Sequence, residues 1–209
     1  MIILGLTGSI GMGKTNAAAA LRRLGVPVAE SDRMVHALYR PSGPAVAAVA
    51  ALFPDAVKDG RVDRARLSAH VVNNKAALAR LEAAVHPLVR AAQDRFIRSA
   101  AARRHPVVAL DVPLLFETGG DARCDYVAVV SAPRFVQRAR VSARAGMTDA
   151  KLAALLARQL PDAEKRRRAD FVILTGLSRR LTLRRLRSII KLLKTRPPKT
   201  RHARNRRRH

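Results

Sequence analysis

The sequence predicts an α/β fold built on a parallel sheet, and three observations carry that expectation. Short apolar runs of strand length recur at residues 2–6, 107–110, 126–131 and 171–174. Stretches with helical spacing separate them, and strands alternating with helices are the pattern of parallel strands joined by crossovers. The runs are apolar at almost every position, which suits strands buried on both faces.

The first run leads directly into GSIGMGKT at residues 8–15, which fits the pattern G-x-x-x-x-G-K-[ST]. A helix-forming stretch, 16–24, follows and ends at Gly25, a good C-terminal cap. Residues 26–29 read as a short strand, with Pro27 near its start, where proline is tolerated. That strand ends at Glu30-Ser31-Asp32. Asp32 thereby falls at the carboxyl end of a strand, where open α/β sheets place their ligands.

From about residue 33 to 104 the pattern is mostly helical, broken at Pro41-Ser42-Gly43-Pro44, at Pro54 and at Asp59-Gly60. This is too long for a simple crossover. It reads as a helical insertion on a nucleotide-binding core, a home for a second substrate. Leu78, Leu81, Val85 and Leu88/Val89 have helical spacing and read as core packing. The strand at 107–110 leads into DVPLLFE, 111–117. After the strand at 126–131 come two basic helical stretches, 133–145 and 149–160, with Thr148 as the N-cap of the second. The final helix, about 180–193, buries Leu186, Ile189, Ile190 and Leu193 and turns arginines outward.

Bulk properties bound the function. The chain has 209 residues, 48% hydrophobic but only 3% aromatic and without tryptophan, so leucine, valine and alanine must build the core of one domain. The single cysteine, Cys124, excludes an internal disulfide framework and reads as a small buried residue; no cysteine–histidine cluster has zinc spacing. No apolar run approaches about 18 residues, and the first residues lack a basic signal-peptide region, so the expectation is a cytoplasmic protein that does not enter a membrane. The net charge is +26. Residues 194–209, KTRPPKTRHARNRRRH, read as a disordered basic tail. A positive surface attracts nucleotides, polyphosphates and nucleic acids alike.

The glycine motif assigns chemistry. Gly8, Gly11 and Gly13 let backbone N–H groups converge on an anion, and the helix behind points its positive end at the same place. Lys14 can then reach the β- and γ-phosphates of a nucleotide, and the Thr15 hydroxyl can ligate Mg²⁺. Asp32 is either the carboxylate that orients an acceptor hydroxyl and takes its proton or an acid capping the next helix. Asp111 is either a Mg²⁺-holding acid at a strand end or the start of a turn before Pro113. Gln137, Arg140 and Arg144 lie on the basic helices; the two arginines share a face and either close over a triphosphate or form a solvated surface.

Beyond these motifs the chain resembles the dephospho-coenzyme A kinase family over nearly its whole length. The resemblance runs through LTGSIGMGKT at 6–15, ESDRMVH at 30–36, GRVDRARL at 60–67 and LEAAVHPLV at 81–89. It continues through DVPLLFE at 111–117, QRARVSAR at 137–144 and RQLPDAEKRRRADFVI at 158–173. It implies a three-layer P-loop kinase with a parallel sheet, a helical acceptor-binding insertion at about 33–104 and a helical lid at about 137–165, all within a domain spanning 1–193. The implied reaction is ATP-dependent phosphorylation of the ribose 3′-hydroxyl of dephospho-coenzyme A, the last step of coenzyme A synthesis, with Mg²⁺ accompanying ATP. The resemblance assigns catalysis to Asp32, as base, with Lys14, Arg140 and Arg144. It assigns ATP binding to Gly8, Gly11, Met12, Gly13, Lys14, Thr15 and Asn16, and substrate binding to His86 and Asp111, with domain packing the equal alternative for His86; metal binding falls to Thr15 and Asp111. Two departures stand out. The family often has Asp-Ala-Asp where this chain has Glu30-Ser31-Asp32, and Asp-Asn after the last strand where this chain has Leu174-Thr175-Gly176. The expected partners are ATP and dephospho-coenzyme A, for a monomer, with nonspecific RNA association through the tail. Another small-molecule P-loop kinase and a nucleic-acid-binding P-loop ATPase are the competing readings.

Overall fold

The computed structural model describes residues 1–72 and 74–199. Among them the chain runs β1 (Ile2–Thr7), α1 (Lys14–Arg23), β2 (Val28–Glu30), α2 (Ser31–Leu38), α3 (Val46–Leu52), β3 (Val57–Lys58), β4 (Arg61–Val62), α4 (Arg64–Val71) and α5 (Lys75–Ala102). It continues with β5 (Val107–Asp111), β6 (Tyr126–Ser131), α6 (Arg134–Ser142), α7 (Asp149–Ala157), α8 (Asp162–Arg168), β7 (Phe171–Leu174) and α9 (Arg179–Thr195). Two compact units divide it: residues 1–29 with the described chain from 100 onward, and Glu30–Ser99.

The first unit is organised by a five-stranded sheet in the order β2-β5-β1-β6-β7. β1 pairs in parallel with β5 on one side and β6 on the other, and β6 pairs in parallel with β7. Every residue of β1, β5 and β6 is buried, as their unbroken apolar runs require. Side chains alternate across the sheet. Leu4 and Leu6 join a core shared with Ala17, Ala18 and Leu21 of α1 and Leu186, Ile189, Ile190 and Leu193 of α9. On the opposite face, a Cβ added to Gly5 would meet Leu115 and Cys124 within 2.8 Å, so the strand admits no side chain there. Each leucine sealed this way stabilises the fold by about 1.5–3 kcal/mol. The connections leaving β1 and β5 run in opposite directions across the sheet, to β2 and to β6, and ligands of such sheets collect at the carboxyl ends of the strands flanking that reversal.

The second unit has its own core of Val49, Phe53, Ala56, Val62, Leu67, Ala77, Leu81 and Val85. Leu81 and Val85 therefore pack as their spacing predicts. The break at Asp59-Gly60 falls between α3 and α4, as the sequence predicts, and takes the form of a hairpin. β3 and β4 pair antiparallel around it, with φ of 51° at Asp59 and 70° at Gly60. Two consecutive positive φ values make the mirror-image turn that suits a tight hairpin, and Asp-Gly is the residue pair that adopts it. Asp63 then caps α4, its Oδ1 accepting from the N–H groups of Ala65 and Arg66. Pro87 lies inside the 28-residue α5, where it removes one helical N–H donor.

Asp32 is placed differently from the expectation. β2 ends at Glu30 and α2 begins at Ser31, so Asp32 occupies the first turn of a helix rather than a strand end. At the other terminus α9 continues through Thr195, and Pro197 accepts a hydrogen bond from the Tyr126 hydroxyl at 3.3 Å. Residues 200–209 of the expected tail lie outside the described residues.

Candidate active site

The glycine loop leaves β1 at Thr7, whose hydroxyl donates to the Pro113 carbonyl at 3.0 Å. It enters α1 through Gly13, which has φ 86°. A Cβ at Gly13 would lie 2.9 Å from the Thr175 hydroxyl, so both the left-handed backbone and the space require glycine. Lys14 opens the helix, and the parallel register sets Asp111 beside Leu6 at the end of β1. Lys14 Nζ donates to Asp111 Oδ1 at 2.6 Å, with the carboxylate side chain 5% exposed. This charge-assisted bond fixes a flexible cation at the mouth of the loop. Thr15 and Asn16 are exposed in the first helical turn, where N–H groups lack intrahelical acceptors and favour an anion.

The loop carbonyls are held from outside. Gln137 Nε2 donates to the Ile10 carbonyl at 2.8 Å, while Gln159 Oε1 accepts from the Ile10 N–H at 3.1 Å. Arg140 Nη1 donates to the Gly11 carbonyl at 3.3 Å. The Thr175 hydroxyl donates to the Met12 carbonyl at 2.6 Å and accepts from Arg140 Nη1 at 3.1 Å, while Arg140 Nη2 donates to the Thr175 carbonyl at 2.6 Å. Three successive carbonyls thus have partners on one side, an arrangement that frees backbone N–H groups for an anion on the other. The Met12 side chain is buried and its sulfur accepts from the Ala132 N–H at 3.1 Å. Gly8 and Gly11 are buried within the same turn.

The structure separates the two arginines. Arg140 is engaged with the loop and Thr175, whereas Arg144 is exposed one turn further along, beyond the end of α6. Thr148 caps α7 as its sequence position predicts, accepting from the Lys151 N–H at 3.2 Å.

Behind the loop lies an ion pair without a sequence signal of its own. Lys165, one of four consecutive cations on α8, is fully buried, with Nζ 2.8 Å from Glu117 Oε1. The same oxygen accepts from the Leu160 N–H at 2.8 Å. Burial pushes the Glu117 carboxyl up, but Lys165 and the Leu160 N–H pull it further down, below the ordinary glutamate value. Cys124 is 1% exposed and burial raises its thiol to about 12, as suits a packing residue rather than a nucleophile.

In the second unit Asp32 is exposed, and among the described residues it has no hydrogen-bond or ion-pair partner. Its neighbours are fixed. Glu30 Oε2 meets Arg33 Nε at 3.2 Å, the buried Ser31 hydroxyl accepts from Gln93 at 3.1 Å, and His36 Nε2 stands 2.9 Å from Arg64 Nη1. His86 is half-buried on α5. Among the described residues, no three acidic, histidine or cysteine side chains cluster as a metal site, and no helix is long and apolar enough to cross a membrane. Sequence reasoning missed Gln159, Lys165 and the Thr175 node. Thr175 was legible only as a departure from a pattern.

Comparison with known proteins adds the acceptor side. The dephospho-CoA kinase family profile matches residues 2–178. A dephospho-CoA kinase of Paramagnetospirillum magneticum is 62% identical over 166 residues, covering 79% of this chain and 78% of that protein. One from Mesorhizobium japonicum is 57% identical over 176 residues, covering 84% and 88%. Among solved structures, a Thermus thermophilus protein superposes with a TM-score of 0.78 at 37% identity, covering 92% of this chain and 97% of its own. The Campylobacter jejuni dephospho-CoA kinase, at 22% identity and a TM-score of 0.60 over 91% of this chain and 96% of its own, shares the fold. A nucleotide loop of this construction, in a sequence matched from its first strand to beyond its last, places the chain in the dephospho-CoA kinase family.

Proposed function

We propose that the chain transfers the γ-phosphoryl group of ATP to the ribose 3′-hydroxyl of dephospho-coenzyme A, giving coenzyme A and ADP. The observation that carries the donor half is the braced loop, with Lys14 fixed at its mouth by Asp111. The acceptor half rests on family membership.

The chemistry follows from the groups available. Loop N–H groups and Lys14 hold the β- and γ-phosphates. Asp32, exposed and unengaged among the described residues, accepts the proton of the 3′-hydroxyl. The 3′-oxygen forms its bond to γ-phosphorus as the bond to the bridging oxygen breaks, and ADP leaves with that electron pair. Arg144 is available to stabilise charge on the transferring group, while Arg140 positions the loop. Thr15 and Asp111 supply the hydroxyl and carboxylate oxygens that suit Mg²⁺, which keeps few protein ligands when phosphates provide the rest. Bound there, it neutralises phosphate charge. In this reading the second unit, read from sequence as the insertion 33–104, receives the acceptor and contributes His86. Residues 137–165 act as the lid, and the protein works as a cytoplasmic monomer.

Coupled ADP release with purified protein tests the reading. Turnover should require dephospho-coenzyme A, ATP and Mg²⁺ together. Turnover with shikimate or nucleoside monophosphates instead would assign another acceptor. ATP hydrolysis dependent on RNA would assign a nucleic-acid ATPase.

A further inference from the structure

After Asp170 the sequence contains no aspartate or glutamate, while arginine and lysine continue to its last residues. Much of this charge stands on an ordered surface. α9 buries Thr182, Leu186, Ile189, Ile190 and Leu193. At about 100° per residue, Arg180, Arg184, Arg187, Lys191 and Lys194 fall within an arc of roughly 80°. Their spacing alternates four and three residues, so they form one straight stripe. All five are exposed, and among the described residues none is paired with an acidic side chain. Like charges three and four residues apart destabilise a helix, so the stripe works against the element that carries it. No group in the proposed phosphoryl transfer uses it.

We infer that this stripe is a docking surface for nucleic acid, gripping the phosphate backbone without reading sequence. The stripe covers about 21 Å of helix axis, a length over which a single strand carries on the order of six charges. Three of the five cations are arginines, whose planar forks match phosphate oxygens. With aromatic residues at 3% of the chain, stacking platforms for bases are scarce, which leaves the backbone as the recognised element. A membrane surface fits less well. An interfacial helix needs an apolar face to insert, but the apolar face of α9 is already packed in the core. The exposed apolar side chains of α9 are Leu181 and Leu192, each 39% exposed. Only Lys194 of the five belongs to the expected tail, 194–209, and the surface is independent of the proposed reaction.

The test is binding of the full chain to a fluorescein-labelled 20-nucleotide RNA of arbitrary sequence, titrated across salt, beside phosphatidylglycerol vesicles. The triple variant Arg184→Gln/Arg187→Gln/Lys191→Gln keeps good helix formers in place and leaves the proposed catalytic groups intact. It should lower the slope of log affinity against log salt by about 2 and weaken binding at 100 mM salt roughly tenfold or more. Kinase turnover should stay at the parent level, which reports that the variant is folded. The variant Arg184→Lys/Arg187→Lys should keep the slope. An unchanged slope in the triple variant would give all binding to residues beyond α9 and overturn the inference. Tighter binding to vesicles than to RNA, or no RNA binding by the parent chain at 50 mM salt, would also overturn it.

Discussion

The glycine loop carries Lys14 and the start of α2 carries Asp32, the two residues with the largest proposed roles in phosphoryl transfer, and the two segments are built in opposite ways. Around the loop nearly every polar group is engaged. Lys14 is bonded to Asp111, and Gln137, Arg140, Gln159 and Thr175 hold the backbone between Ile10 and Met12. At α2 the neighbours of Asp32 are tied down but Asp32 itself is not. The difference matches what each side must do. A site for phosphate gains by fixing its dipoles before the ligand arrives, because no reorganisation is then needed during transfer. A general base must keep its lone pair available for a proton.

That contrast is open to direct attack. Lys14→Ala and Asp32→Asn should both lower turnover by about 10²–10⁴-fold, the largest effects expected. They should differ in ATP affinity, measured by calorimetry: the lysine variant weakened, the asparagine variant near the parent value. Full activity in Asp32→Asn would remove it as the base and leave the comparison without its second member.

A smaller effect separates braced from unbraced residues by stability. Lys165→Met leaves the Glu117 carboxylate buried without its cation and should cost about 3 kcal/mol in urea unfolding. Asp32→Asn should change stability by no more than about 0.5 kcal/mol. The pH dependence has a definite sign. The Glu117 carboxyl lies below its ordinary value in the folded protein, so its contribution is present above the unfolded value of about 4.3 and is lost as pH falls through the folded value. The stability difference between the parent and Glu117→Gln should therefore shrink as pH drops below about 4. A difference constant with pH would show that the ion pair contributes little.

The smallest effect concerns Cys124, pressed against Gly5 of β1. With its thiol raised to about 12, it should resist iodoacetamide at pH 8 in the folded protein and react once urea unfolds it. Rapid labelling of the native chain would mean that this face of the sheet opens.

The sheet was readable from the sequence because its strands are buried on both faces, so each left an uninterrupted apolar run. The β3–β4 hairpin was not. Two strands of two residues have no alternation to detect, and only Asp59-Gly60 marked the turn. The start of α2 was misplaced because the sequence carried the strand two residues too far, into Ser31 and Asp32. In the candidate site, Lys14 was legible from the glycine motif and Asp111 as an acid at the end of a strand. Their mutual bond was not, since register across 97 residues is a tertiary fact. Lys165 reads as one more cation in KRRR. Only its pairing with the half-buried Glu117 distinguishes it, and that residue lies in another part of the chain.

Thr175 closes the phosphate loop from 163 residues away, and Arg140 reaches it from 129. The motif is therefore synthesised well before the residues that complete it. Until β7 has docked beside β6, the Met12 carbonyl has no Thr175 and Arg140 lacks half of its partners. Contacts of such long sequence separation form late, because the loop-closure entropy must be met first. A nascent chain that displays the complete glycine motif still lacks the Thr175 and Arg140 bonds that hold the Met12 and Gly11 carbonyls.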